Sequence, residues 1–98
     1  MIPEPYVTEV RQMIECREYV QAMSYLRDVV RATQGIIAEV HALRLIAFCW
    51  NKMGEPQAEE LELENARSVA QAQGLEAEVL CIEDSLRALK HRQAGPHD

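Results

Sequence analysis

Four glycines divide this chain at near-equal intervals: Gly35, Gly54, Gly74 and Gly95. The last three close glycine-free stretches of 18 to 20 residues (36–53, 55–73 and 75–94). Apolar residues recur along each stretch at helical spacing. Glycine takes the left-handed conformation that ends a helix at little steric cost, so the set reads as a row of helix stops. Pro56 and Pro96 follow two of the stops, where proline ends one helix or opens the next. The pattern predicts an all-α chain of about five helices of similar length, joined by short turns.

In detail, Pro3 and Pro5 mark residues 1–5 as an extended lead, and Gly95 to Asp98 as a frayed tail. The first helix is predicted from Tyr6 to Ile14, and Cys16-Arg17-Glu18 supplies a turn with no glycine or proline. The second runs from Tyr19 to Gln34 on a stripe of Ala22, Met23, Leu26, Val29, Val30 and Thr33. The third, Ile36 to Met53, is apolar on most of its circumference. Val40, Leu43, Ile46, Ala47, Trp50 and Met53 form one stripe, and Ala42, Leu45, Phe48 and Cys49 cover much of the rest. A helix of that kind is packed on two sides. Trp50 is expected at the packing centre.

The fourth helix opens at Pro56, with an inner stripe of Ala58, Leu61, Asn65, Ala66, Val69 and Ala72. Glu55, Glu59, Glu60, Glu62 and Glu64 then mark a solvated face. The fifth steps through Leu75, Val79, Ile82, Leu86 and Leu89. Lys90, His91 and Arg92 sit in its last turns, where the helix dipole favours cations. Its stripe is expected to seal the end of the array, and a second copy of the chain is the other candidate to cover it.

Ninety-eight residues make one domain, 1–98. A net charge of −6 argues against nucleic acid, which wants clustered Lys and Arg. No apolar run reaches the roughly 18 to 20 residues that cross a bilayer. With Glu4 and Glu9 and no basic start, the first residues do not read as a secretory signal. Cys16, Cys49 and Cys81 are an odd set, 33 and 32 residues apart. They fit reduced thiols better than a disulfide framework, and the cytoplasm is the expected compartment.

The cysteine spacing also hints at a repeat. Ala22 and Leu26 correspond roughly to Ala58 and Leu63, an offset of 36 to 37 residues, and such periods belong to arrays of helix pairs. Leu43, Ile46-Ala47, Trp50, Gly54, Ala58, Leu63 and Ala66 resemble the tetratricopeptide repeat pattern. Leu43 stands for its first Trp, Ile46-Ala47 for its Leu-Gly and Trp50 for its Tyr. Ala58 falls one residue early, and Gln71 replaces the closing proline. The resemblance implies a right-handed stack of antiparallel helix pairs. The segment from Ala47 to Leu80 is also similar to the last sensor-region repeats of maltose-regulator-type LuxR-like activators, with Ala70 and Gly74 in the closing turn. Those activators end in a DNA-binding helix-turn-helix, and no stretch here plays that role.

No nucleophile elbow, phosphate loop or metal-spaced Cys or His pair is present. The chain is therefore expected not to be an enzyme and to need no cofactor or metal. In paired-helix arrays the first helix of each pair lines the concave surface. On the third helix, His41, Arg44, Phe48, Asn51 and Lys52 project away from the Leu43–Ala47–Trp50 stripe. The resemblance places them as groove-lining residues. Phe48 would be an apolar anchor, Asn51 a partner for peptide backbone, and Arg44 and Lys52 holders of a carboxylate. Arg11 on the first helix is a further candidate cation. The expected function is a protein-interaction module for a peptide or helix of a partner protein. A small-molecule-sensing regulatory domain is the alternative, with an enclosed apolar cavity near Phe48 and Trp50. A small secretion-type chaperone is the third reading.

Overall fold

A computed structural model describes residues 4–93, and side chains from Thr8 to Arg92. The predicted stop at Gly95, the tail 95–98 and residues 1–3 of the predicted lead lie outside the described residues. Within them the chain forms five α-helices: α1 Glu4–Glu15, α2 Tyr19–Ala32, α3 Ile37–Lys52, α4 Pro56–Ala72 and α5 Glu76–Gln93. The expectation of an extended lead through residue 5 is corrected, because Glu4 and Pro5 belong to α1. A proline in the first helical turn lacks only an N–H that has no intrahelical acceptor there.

Three of the four connections are built the same way. After α3, the Gly54 N–H donates to the Asn51 carbonyl and the Glu55 N–H to the Trp50 carbonyl. After α4, Gly74 and Leu75 repeat the pattern onto Gln71 and Ala70. These are Schellman closures, which use the last free carbonyls of a helix and need a left-handed residue at the pivot. Gly54 and Gly74 supply it, with φ of +73° and +71°. The turn after α1 is the same closure without glycine. Arg17 donates to Ile14 and Glu18 to Met13, and Arg17 itself sits at φ +62°.

A left-handed conformation costs a residue with a Cβ about 1–2 kcal/mol, while glycine adds about 0.4–1 kcal/mol of unfolded-state entropy. Arg17→Gly is thus expected to stabilise the fold by roughly 0.5–1 kcal/mol. A urea midpoint that rises at constant slope would show it; an unchanged or lower midpoint would rule it out. The turn between α2 and α3 differs. Thr33, the C-cap of α2, donates its hydroxyl to the Val29 carbonyl at 2.6 Å, and Gly35 donates its N–H to the Glu39 carboxylate at 3.0 Å.

Each helix packs chiefly on its neighbours in sequence, and α3 lies between α2 and α4. The Cα atoms span 45 × 34 × 16 Å, a slab about two helices deep. The buried face of α2 is the predicted one, with Ala22, Met23, Leu26 and Val29. Two-sided burial of α3 is also observed: Ala38, Val40, Ala42, Leu43, Ile46, Ala47 and Cys49 are all inside. Burial pushes the Cys49 thiol above its ordinary pKa, because the thiolate would lose its hydration. Cys16 and Cys81 are exposed, and all three cysteines are unpaired. On α5, Ile82, Leu86 and Leu89 are buried, with Leu75 and Val79 packed against them in part. The predicted stripe thus faces inward.

Two packing expectations are corrected. Trp50 is only partly buried, and the largest enclosed side chains are Leu26, Leu43, Ile46, Ile82 and Leu89. Its indole Nε1 is buried without a hydrogen-bond partner. The second correction concerns α4, whose inner face keeps Ala66 and, in part, Val69 of the predicted stripe but not the rest. Leu61 is 68% exposed, and Asn65 and Ala72 are also exposed. The buried residues are Glu59, Glu62, Leu63, Ala66 and Ala70. Two carboxylates therefore lie on the covered side of the helix, where cations from neighbouring helices meet them.

Candidate functional site

Carboxylates of α3, α4 and α5 carry the polar connections between helices, two of them on the inward face of α4. Arg27 of α2 pairs with Glu62. Arg92, in the last turn of α5, reaches Glu59 at 3.3 Å, and the Asn51 side-chain amide at the end of α3 donates to the same carboxylate at 3.3 Å. Farther along, Arg44 of α3 pairs with Glu78 of α5 at 3.0 Å, and His41 Nε2 lies 3.5 Å from the same oxygen. At the other end of α3, the Gln73 amide donates to Glu39 at 3.4 Å. Each link gives a part-buried carboxylate a donor, which a desolvated acid needs.

Between α3 and α5, with α4 beneath, lies an open groove of about 630 Å³, lined in part by Arg44, Asn51, Glu59 and Arg92 of these links. Helix α3 contributes the buried Ala47 and, beside it, His41, Arg44, Leu45, Phe48 and Asn51. They fall on the flank left free when Leu43, Ile46 and Cys49 turn into the core. Helix α5 contributes Ser85, Ala88 and Arg92, whose three- and four-residue spacing puts them on one face. Glu59 and Leu63 of α4 form the floor. Phe48 is 41% exposed, an unusual state for the chain's only phenylalanine. The Lys52 ammonium stands 5.3 Å from the centre of its ring, a cation–π contact worth about 0.5–1 kcal/mol at an exposed site.

Four of the six residues expected to bind a partner, His41, Arg44, Phe48 and Asn51, thus line one groove. Lys52 joins it through Phe48. Arg11 is exposed on α1 and is not among the lining residues. Arg44 and Asn51 each already hold a carboxylate of the chain. Sequence reasoning missed Ser85, Ala88, Arg92, Glu59 and Glu78. The available signal was that Glu59 and Glu62 share a helical face with Ala66 and Ala70. Among the described residues, no group of three His, Cys, Asp or Glu could hold a metal ion, and no helix is long and apolar enough to cross a membrane.

No protein-family model, curated protein or solved structure matches the chain. The groove has to be read from its own chemistry: a half-exposed aromatic ring, small α5 residues and two arginines, each tethered to a glutamate of a neighbouring helix.

Proposed function

We propose that this chain is a non-catalytic, tetratricopeptide-like interaction module that takes a peptide or helix of a partner protein along the groove between α3 and α5. One observation carries this reading: an open groove holds an exposed Phe48 between polar ends. Apolar anchors flanked by orienting polar groups are the usual anatomy of a peptide-docking surface. Stacked antiparallel pairs are supported by the reach of Gln73, past the end of α4, to Glu39 in the first turn of α3. The reach of Asn51, in the last turn of α3, to Glu59 in the first turn of α4 supports the same arrangement. A right-handed twist is part of the proposal through the repeat resemblance alone. Three unpaired cysteines fit a reducing compartment such as the cytoplasm.

The openness of the groove favours a peptide over the small-molecule alternative. A sensor of that kind would enclose its ligand among apolar walls near Phe48 and Trp50. Here Trp50 does not line the groove, and Arg44, Asn51, Glu59 and Arg92 do.

Ala88 offers the cleanest test, because it is exposed, lines the groove and makes no polar link. Ala88→Trp is expected to fill the groove while helicity and Tm stay within a few degrees of the parent. In affinity capture from the native host, the partner retained by the parent chain should be lost with the variant. Equal capture by both would overturn the groove assignment.

A further inference from the structure

The ion pairs at the groove are unequally exposed. The Arg44 side chain is 36% exposed against 18% for Glu78, and Arg92 is 54% exposed against 11% for Glu59. In each pair the arginine is the more exposed partner and the carboxylate the less exposed one. A guanidinium carries five N–H donors in a planar fork. Arg44 gives one nitrogen, Nη1, to Glu78, and Arg92 gives one, Nη2, to Glu59. Each arginine thus keeps donors beyond those its internal partner uses. Buried Glu59 and half-buried Glu78 orient these cations without covering them. With Lys52 over Phe48, three cations surround an apolar centre against the two less exposed carboxylates of Glu59 and Glu78, a local excess of positive charge on a chain that carries −6 as a whole. Screening within about 8–10 Å at physiological ionic strength limits the reach of that overall charge.

We infer that the occupant of the groove is an acidic segment of a partner protein, with two side-chain carboxylates flanking one apolar side chain. This rests on the groove reading above and adds the chemistry of the partner to it. The spacing follows from α3. Arg44 and Asn51, the second of which shares Glu59 with Arg92, are seven positions apart. At 1.5 Å per residue that is roughly 10 Å. Phe48 lies between them, four residues after Arg44. The matching carboxylates stand about 10 Å apart in the ligand, at i and i+7 on one face of a helix. The apolar side chain between them meets Phe48, Leu45 and Ala88.

A library of random 16-residue peptides displayed on phage, panned on the full chain with subtraction against Ala88→Trp, tests this. The expected result is enrichment of acidic–apolar–acidic peptides that lose binding to Ala88→Trp. Such a peptide, synthesised and labelled, should bind Arg44→Gln and Lys52→Gln about tenfold more weakly by fluorescence anisotropy, one charge-assisted contact each. Circular dichroism should show both variants still helical. Enriched peptides that are neutral or basic yet blocked by Ala88→Trp would overturn the acidic preference and leave the groove standing. Binders indifferent to Ala88→Trp, or no binders, would overturn both. Unchanged affinity for Arg44→Gln and Lys52→Gln would overturn the acidic preference alone.

Discussion

Ile46→Ala will cost the fold about 2–5 kcal/mol, whereas Leu61→Ala will cost less than about 0.5 kcal/mol. The two residues are both large aliphatics on helices, and sequence periodicity assigns both to the core. In the structure Ile46 is fully enclosed and Leu61 faces solvent. Removing Ile46 side-chain atoms leaves a cavity in α3, which α2 and α4 cover from both sides. A chain of this length has only about 5–15 kcal/mol in total, so the loss is a large share of it. At roughly 4–8 °C per kcal/mol for a domain of this size, Tm should fall by at least about 8 °C for Ile46→Ala and hardly move for Leu61→Ala. Similar losses for both would mean that α4 is rotated relative to the face described above.

The second large effect concerns Glu59. Arg92→Ala leaves its carboxylate on the covered face with Asn51 as its remaining donor. A fully buried pair broken on one side costs about 3–5 kcal/mol. Because Arg92 is more than half exposed, the expected cost is smaller, about 1–2 kcal/mol. Adding Glu59→Met should recover most of it, since an apolar side chain of similar length needs no counter-charge. The measurement is a double-mutant cycle in urea unfolding. A neutral Arg92→Ala, or a double variant less stable than the single, would show that Glu59 keeps its water and that α5 is not tied to α4 through it.

Much of the architecture was legible because the chain marks its helix ends chemically. Gly54, Gly74 and Pro56 act locally, so their meaning does not depend on what packs nearby. Heavy apolar coverage likewise pointed to two-sided burial of α3. The orientation of α4 was not legible. Its periodicity admits either Leu61 or Glu59 and Glu62 on the inner face, and hydrophobicity alone selects Leu61. Choosing correctly requires knowing that Arg27 and Arg92, more than thirty residues away in opposite directions, arrive beside those acids. The candidate groove was half legible for the same reason. Its α3 wall could be read from one helix, while Ser85, Ala88 and Arg92 become a facing wall only once α5 has folded back. Arg17 shows a further limit: nothing in its side chain announces a left-handed pivot.

Packing that links each helix mainly to the one before and the one after has a kinetic corollary. Few distant parts of the chain must find each other before a contact forms, so little loop entropy opposes the first steps. Refolding from urea should finish within microseconds to milliseconds, the range of helical domains of low contact order. Growth by docking one segment at a time onto a formed pair would leave little apolar surface waiting, and so little opportunity for aggregation during synthesis.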